Sequence, residues 1–208
     1  MARNSLCSGD LMCPRIRSAS SWTPGSWSRA GTLSLEELRC LLWKHTPPMG
    51  HVDEVWPNLY VGDLHIARDK EQLSRTGISH VVNAVAGRSH IDTGPEFYKD
   101  LPMHYYGVEA EDSPNFDLSI YFYPVARHIK AALNSPRGKV LVHCGMGISR
   151  SAALVLAFLM ICEDMSLADA IQTVLSHRGI CPNSGFLKQL WELDLQLRRG
   201  KGREAEPC

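Results

Sequence analysis

The chain alternates short apolar runs with longer stretches whose apolar residues recur at helical spacing. Four runs read as strands: Glu54 to Val61, His80 to Val85 with its β-branched residues, Met103 to Val108, and Val140 to His143. The first helix opens at Ser34-Leu35-Glu36-Glu37, a capping box with Leu33 and Leu38 placed as a hydrophobic staple. Leu35, Leu38, Leu41 and Leu42 line its inner face, and Thr46-Pro47-Pro48-Met49-Gly50 ends it. Ala67 to Thr76 reads as a second helix, closed by Gly77. Gly87, Asp92, Gly94 and Pro95 mark residues 86–100 as a loop. Leu118 to Leu133 is helical by pattern, and Pro124 inside it predicts a kink or a late start. Ala152 to Cys162 is apolar nearly all round and too short to span a bilayer, so it reads as a buried helix. Ser166-Leu167-Ala168-Asp169 caps another, with Leu167, Ala170, Ile171, Val174 and Leu175 on one face. After Cys181-Pro182-Asn183 a last helix carries Phe186, Leu187, Leu190, Trp191 and Leu197. Strands separated by helices predict an α/β fold, a largely parallel sheet covered by helices on both faces.

The ends differ from this middle. Residues 1–31 are rich in Ser, Arg, Gly and Pro without periodicity and read as a loosely ordered tail. Alternatively Trp22 and Trp27, with Arg15, Arg17 and Arg29, form a docking peptide. Residues 32–198 read as one domain, and 199–208 as a frayed polar end. Charge is balanced, with 22 basic and 22 acidic residues, so no global field favours nucleic acid or an anionic membrane. The start lacks a signal-peptide core. Seven scattered cysteines do not form a disulfide framework, and neither they nor the nine histidines show zinc-site spacing. These features predict a protein of a reducing compartment, cytoplasmic and with the nucleus also open to it, without metal or cofactor.

One segment changes the picture: His143-Cys144-Gly145-Met146-Gly147-Ile148-Ser149-Arg150-Ser151, lying between a strand and a helix. A cysteine at a helix N-terminus sits in positive potential, which lowers its pKa below the free value of ~8.5. Successive backbone N–H groups of such a loop seat a tetrahedral anion, and an arginine six positions on adds two matched donors. None of the other cysteines has an arginine at that spacing. The bland alternative, an inert buried cysteine, leaves the glycine, the arginine and the strand–helix junction without a purpose.

With Val55-Trp56-Pro57-Asn58-Leu59-Tyr60-Val61-Gly62-Asp63, Gly77-Ile78-Ser79-His80-Val81-Val82-Asn83 and Pro182-Asn183-Ser184-Gly185-Phe186-Leu187, the chain from Ser34 to Leu197 resembles the atypical dual-specificity members of the cysteine-dependent protein phosphatases. The resemblance implies a mostly parallel sheet of about five strands. It further implies hydrolysis of phosphotyrosine and phosphoserine or phosphothreonine esters through a phosphocysteine on Cys144. Arg150 and the N–H groups of Gly145, Met146, Gly147, Ile148 and Ser149 would hold the phosphate. Ser151 would assist the sulfur in leaving, and His143 would shape the loop. Asp112 would serve as general acid and base; Asp117 competes for that role but fits better as a helix cap. Arg178 would meet a second phosphate or be a surface cation, and Asn183 would support the loop or cap a helix. Phosphorylated proteins are the implied partners, mitogen-activated protein kinases among them. The uncharged loop positions disfavour inositol lipids or nucleic-acid ends as substrates. A phosphoprotein-binding scaffold is the non-catalytic alternative. The sequence does not decide the oligomeric state.

Overall fold

The computed structural model describes residues 33–44, 49–87 and 93–204. In chain order these form α1 (Leu35–Lys44), β1 (Val52–Trp56), β2 (Leu59–Gly62), α2 (Leu64–Arg68), α3 (Lys70–Thr76), β3 (His80–Asn83), β4 (His104–Gly107), α4 (Phe122–Leu133), β5 (Val140–His143), α5 (Arg150–Cys162), α6 (Leu167–Leu175) and α7 (Ser184–Glu204). The tail readings for residues 1–31, and those for 45–48, 88–92 and 205–208, lie outside the described residues.

The five strands lie in the order β1-β2-β5-β3-β4. All neighbours are parallel except β1 and β2. The strand expected over Glu54 to Val61 is therefore two strands. Pro57 and Asn58 reverse the chain between them: Asn58 adopts φ 61° and its N–H donates to Glu54 Oε1 at 2.8 Å. An apolar run does not reveal such a turn, because asparagine enters the left-handed region without the glycine that usually marks it.

Alternation along the strands divides the core in two. Leu59, Val61, Val82, Val140 and Val142 face the larger cluster, which α1, α4, α5, α6 and α7 complete. Tyr60, Val81 and Leu141 point the other way, onto Ile66 of α2, Leu73 of α3 and Tyr98. Helix α5 runs through the larger cluster with Ser151 to Met160 all buried, as its continuous apolarity predicts. The Ser34 box forms reciprocally: Ser34 N–H donates to Glu37 Oε2 at 2.8 Å, and Glu37 N–H to Ser34 Oγ at 3.3 Å.

The helix expected over Ala67 to Thr76 is broken at Asp69. Its N–H ends α2 on the Ile66 carbonyl, and its carboxylate accepts from Gln72 N–H to start α3. Gly77 closes α3 at φ 77°. Pro124 falls in the first turn of α4, after a 3₁₀ turn at Ser119–Tyr121, so the late start is what occurs. There the missing N–H has no helical partner to lose. Helix α7 continues to Glu204, past Gly200.

Candidate active site

β5 delivers the chain to Cys144, and α5 collects it again at Arg150. The intervening carbonyls are tied outward. Gly145 O accepts from Leu64 N–H (3.1 Å), Ile148 O from Cys181 N–H (3.0 Å), and Met146 O and Gly147 O from the Arg178 guanidinium (3.3 and 2.9 Å). In a planar trans peptide the next N–H points away from the carbonyl, so fixing these oxygens outside turns the N–H groups of residues 146–149 inward. Gly147 is required here twice over: φ is 69°, and a Cβ would stand 2.5 Å from Arg178 Nη2 and 2.6 Å from the Gly62 oxygen.

Cys144 is buried within this ring, its Sγ accepting from Gly147 N–H at 3.2 Å and Ser151 Oγ at 3.3 Å. Burial alone would raise the thiol. The Ser151 hydrogen bonds, the Arg150 charge and the Ile148 amide outweigh it and hold the thiol below its ordinary value. Arg150 donates from Nη1 to the Ala110 carbonyl at 3.3 Å. Its Nε is buried without a hydrogen-bond partner and lies 3.5 Å from Asp112 Oδ2. An unsatisfied guanidinium donor beside inward-facing amides is a seat for an anionic oxygen.

Asp112 lies on the segment after β4, against the phosphate loop. Its Oδ1 accepts from Ser149 Oγ at 2.8 Å and Asn183 Nδ2 at 3.0 Å, which aims the carboxylate at Arg150. Asp117 is occupied elsewhere, accepting from the Ser119 N–H and hydroxyl as a local cap. Asn183 Oδ1 also caps α7 by accepting from Phe186 N–H at 3.0 Å, and its backbone N–H donates to Ser149 Oγ of the phosphate loop at 3.2 Å.

Arg178 departs from both readings offered for it. It is 1% exposed, and besides the two loop carbonyls it reaches Gly50 O at 2.9 Å and Asp53 Oδ2 at 2.5 Å. A guanidinium so committed and enclosed cannot meet a second phosphate, and it is no surface cation; it clamps the loop from behind.

Sequence reasoning gave no role to Asp53, Gly185 or Gln189. A Cβ on Gly185 would lie 2.0 Å from Pro114 O, so this glycine lets α7 abut the Asp112 segment. One turn on, Gln189 fastens the same segment, donating to Phe116 O at 2.8 Å and accepting from Leu118 N–H at 2.9 Å. A glycine in the first turn of a helix was the available signal for Gly185, because it costs helix stability unless something packs close. Nothing local marks Asp53 or Gln189.

His143 is wholly buried at the end of β5, and burial drives its pKa down to about 4. The imidazole is therefore neutral in the native loop, while an unfolded histidine titrates near ~6.5. Above that value neither state binds the proton. As pH falls from there toward 4, the unfolded chain takes it up and the native one does not, so stability drops. One such proton is worth about 1.4 kcal/mol per pH unit, hence about 3 kcal/mol by the bottom of the window. Urea unfolding at pH 7 and pH 4.5 should show His143→Gln losing less stability between the two than the parent; equal losses would exclude His143 as the source.

The family profile for the dual specificity phosphatase catalytic domain matches residues 59–196. The chain belongs to this family. A human relative, dual specificity protein phosphatase 13B, is 55% identical over 201 residues, covering 96% of this chain and 99% of its own length. The fold matches the crystal structure of human DUSP28 with a TM-score of 0.64 at 32% identity, over 74% of this chain and 99% of that one. It also matches a human tyrosine phosphatase-like serine/threonine/tyrosine-interacting protein, with a TM-score of 0.62 at 30% identity over 70% and 96% of the two chains. This dual-specificity phosphatase chain is thus a hydrolase by kinship. Among its described residues, no helix is long and apolar enough to cross a membrane.

Proposed function

We propose that this phosphatase hydrolyses phosphotyrosine and phosphoserine or phosphothreonine esters of proteins through a phosphocysteine on Cys144, within a catalytic domain spanning residues 32–198. The observation that carries the reading is the thiol held low inside a ring of inward amides, next to an Arg150 Nε with no hydrogen-bond partner. The Cys144 thiolate attacks phosphorus in line while Arg150 and the loop amides hold the equatorial oxygens. The P–O ester bond breaks, and the leaving oxygen takes a proton from Asp112. Water then attacks the phosphocysteine, giving its proton to Asp112. The Ser151 hydroxyl, already 3.3 Å from Sγ, stabilises the departing thiolate, and inorganic phosphate is released. The residues this scheme uses call for no metal.

Substrate class follows from the loop rim. Met146, half exposed, presents an apolar side chain where a polyphosphorylated ligand would need cations, and Arg178 is turned away into the interior. This supports phosphoproteins over inositol lipids or nucleic-acid ends, with mitogen-activated kinases as candidate partners in the cytoplasm or nucleus.

The test is phosphate release from phosphotyrosine and phosphothreonine peptides, compared with inositol phosphates and a 5′-phosphorylated oligonucleotide. Both peptides should be hydrolysed and outpace the others; release from neither would refute the reading. In the same assay Asp112→Ala should lower turnover by about 10²–10⁴-fold and flatten the basic limb of the pH profile. An unchanged limb removes Asp112 from the mechanism.

A further inference from the structure

Beside the phosphate loop lies a cavity of about 400 Å³ whose wall carries three side chains with metal-binding chemistry: His51, Asp63 and His65. The proposed phosphatase chemistry uses none of them. Chain spacing hides the group, because His51 precedes β1 while Asp63 and His65 flank the start of α2, after the β1–β2 turn. Antiparallel pairing of β1 and β2 closes that distance, with Asp63 N–H donating to His51 O at 3.1 Å.

We propose that His51, Asp63 and His65 bind a divalent transition-metal ion of the zinc class. One ligand atom from each lies within 4.8 Å of the others, and the imidazole centroids are 4.7 Å apart. Two imidazoles and a carboxylate are a zinc donor set, and bond lengths of ~2.0–2.2 Å bring such atoms into one tetrahedron after small ring rotations. The exposure of His51 permits that rotation, its side chain being 64% accessible.

The carboxylate is already oriented. Its Oδ1 accepts from His65 N–H at 2.8 Å and Ile66 N–H at 3.1 Å, the kind of outer hydrogen bonding that fixes a ligating group. Its Oδ2 faces His51 Nδ1 at 2.6 Å. The ion takes the place of the hydrogen between that pair: as the metal–nitrogen and metal–oxygen bonds form, the neutral imidazole bound through Nδ1 carries its one proton on Nε2.

Three protein ligands leave a fourth position open to water or an anionic oxygen. The ion would sit beside Gly145 and Met146, which line the same cavity. Two of its ligands, Asp63 and His65, flank Leu64 in the chain, and the Leu64 N–H holds the Gly145 carbonyl of the phosphate loop.

The test uses metal alone, on the full chain carrying Cys144→Ser so that the nucleophile cannot bind it. Titration with zinc chloride by calorimetry, and with cobalt(II) by visible absorption, should give one bound ion and tetrahedral d–d bands. His51→Ala and His65→Ala, both at exposed positions, should each weaken binding by at least the roughly 10–100-fold that loss of even an outer-shell partner costs. Absence of binding in the Cys144→Ser protein, or undiminished binding in both alanine variants, would overturn the assignment. Neither readout depends on phosphate release, so the metal site and the phosphatase mechanism stand or fall separately.

Discussion

Replacing Cys144 with serine is expected to abolish phosphate release, by at least about 10⁴-fold, while leaving phosphopeptide binding in place. Loss of a covalent nucleophile produces effects of this size because no neighbouring group substitutes for it. A serine hydroxyl at the same point is not ionised by an environment that suffices for a thiol. The rest of the site would remain: the Gly147 N–H and Ser151 hydroxyl donate to oxygen as readily as to sulfur, and Arg150 and the amides still face the phosphate. Binding measured by calorimetry should therefore stay within a few-fold of the parent, and the variant should capture phosphorylated proteins from a lysate. The experiment also separates enzyme from scaffold. A scaffold would release no phosphate in either form. A Cys144→Ser protein that turned over within tenfold of the parent would refute nucleophilic catalysis at this position.

Arg178→Met should be the most damaging substitution outside the reacting groups. It removes the partner of Asp53 and the donors to Gly50 O, Met146 O and Gly147 O together. Breaking a buried ion pair from one side costs about 3–5 kcal/mol; water reaches Asp53, which is 23% exposed, so the lower end applies. Turnover should fall as well, since carbonyls released from Arg178 no longer hold the loop amides inward. Asp53→Asn keeps a hydrogen-bond acceptor but leaves the enclosed Arg178 charge unpaired, and should cost about 3–5 kcal/mol as well. Urea unfolding gives the stabilities, and kcat/KM on singly and doubly phosphorylated peptides should drop by the same factor. A selective loss on the doubly phosphorylated peptide would restore Arg178 to substrate recognition, and a fully stable Arg178→Met protein would end the clamp.

Much of this was legible beforehand because it depends on neighbours in the chain. Strand, loop and helix around Cys144 follow from two apolar runs separated by glycines, and burial of α5 from its apolarity on every side. The caps at Ser34 and Ser166 are short-range hydrogen bonds that sequence spelling shows directly. Failures came where a short polar residue redirected the backbone without changing the apolar pattern. Asn58 turned one strand into a hairpin, and Asp69 turned one helix into two.

By itself, then, the sequence determined the fold class and the reactive loop, since period, propensity and the Cys144–Arg150 spacing are properties of adjacent residues. Only the tertiary structure decided which distant groups serve that loop. Arg178 meets Asp53 across 125 positions, Asn183 meets Asp112 across 71, and His51 comes to Asp63 through a strand pairing. Such partners are chosen by sheet order and helix docking, which bring together side chains that carry no mark of one another along the chain.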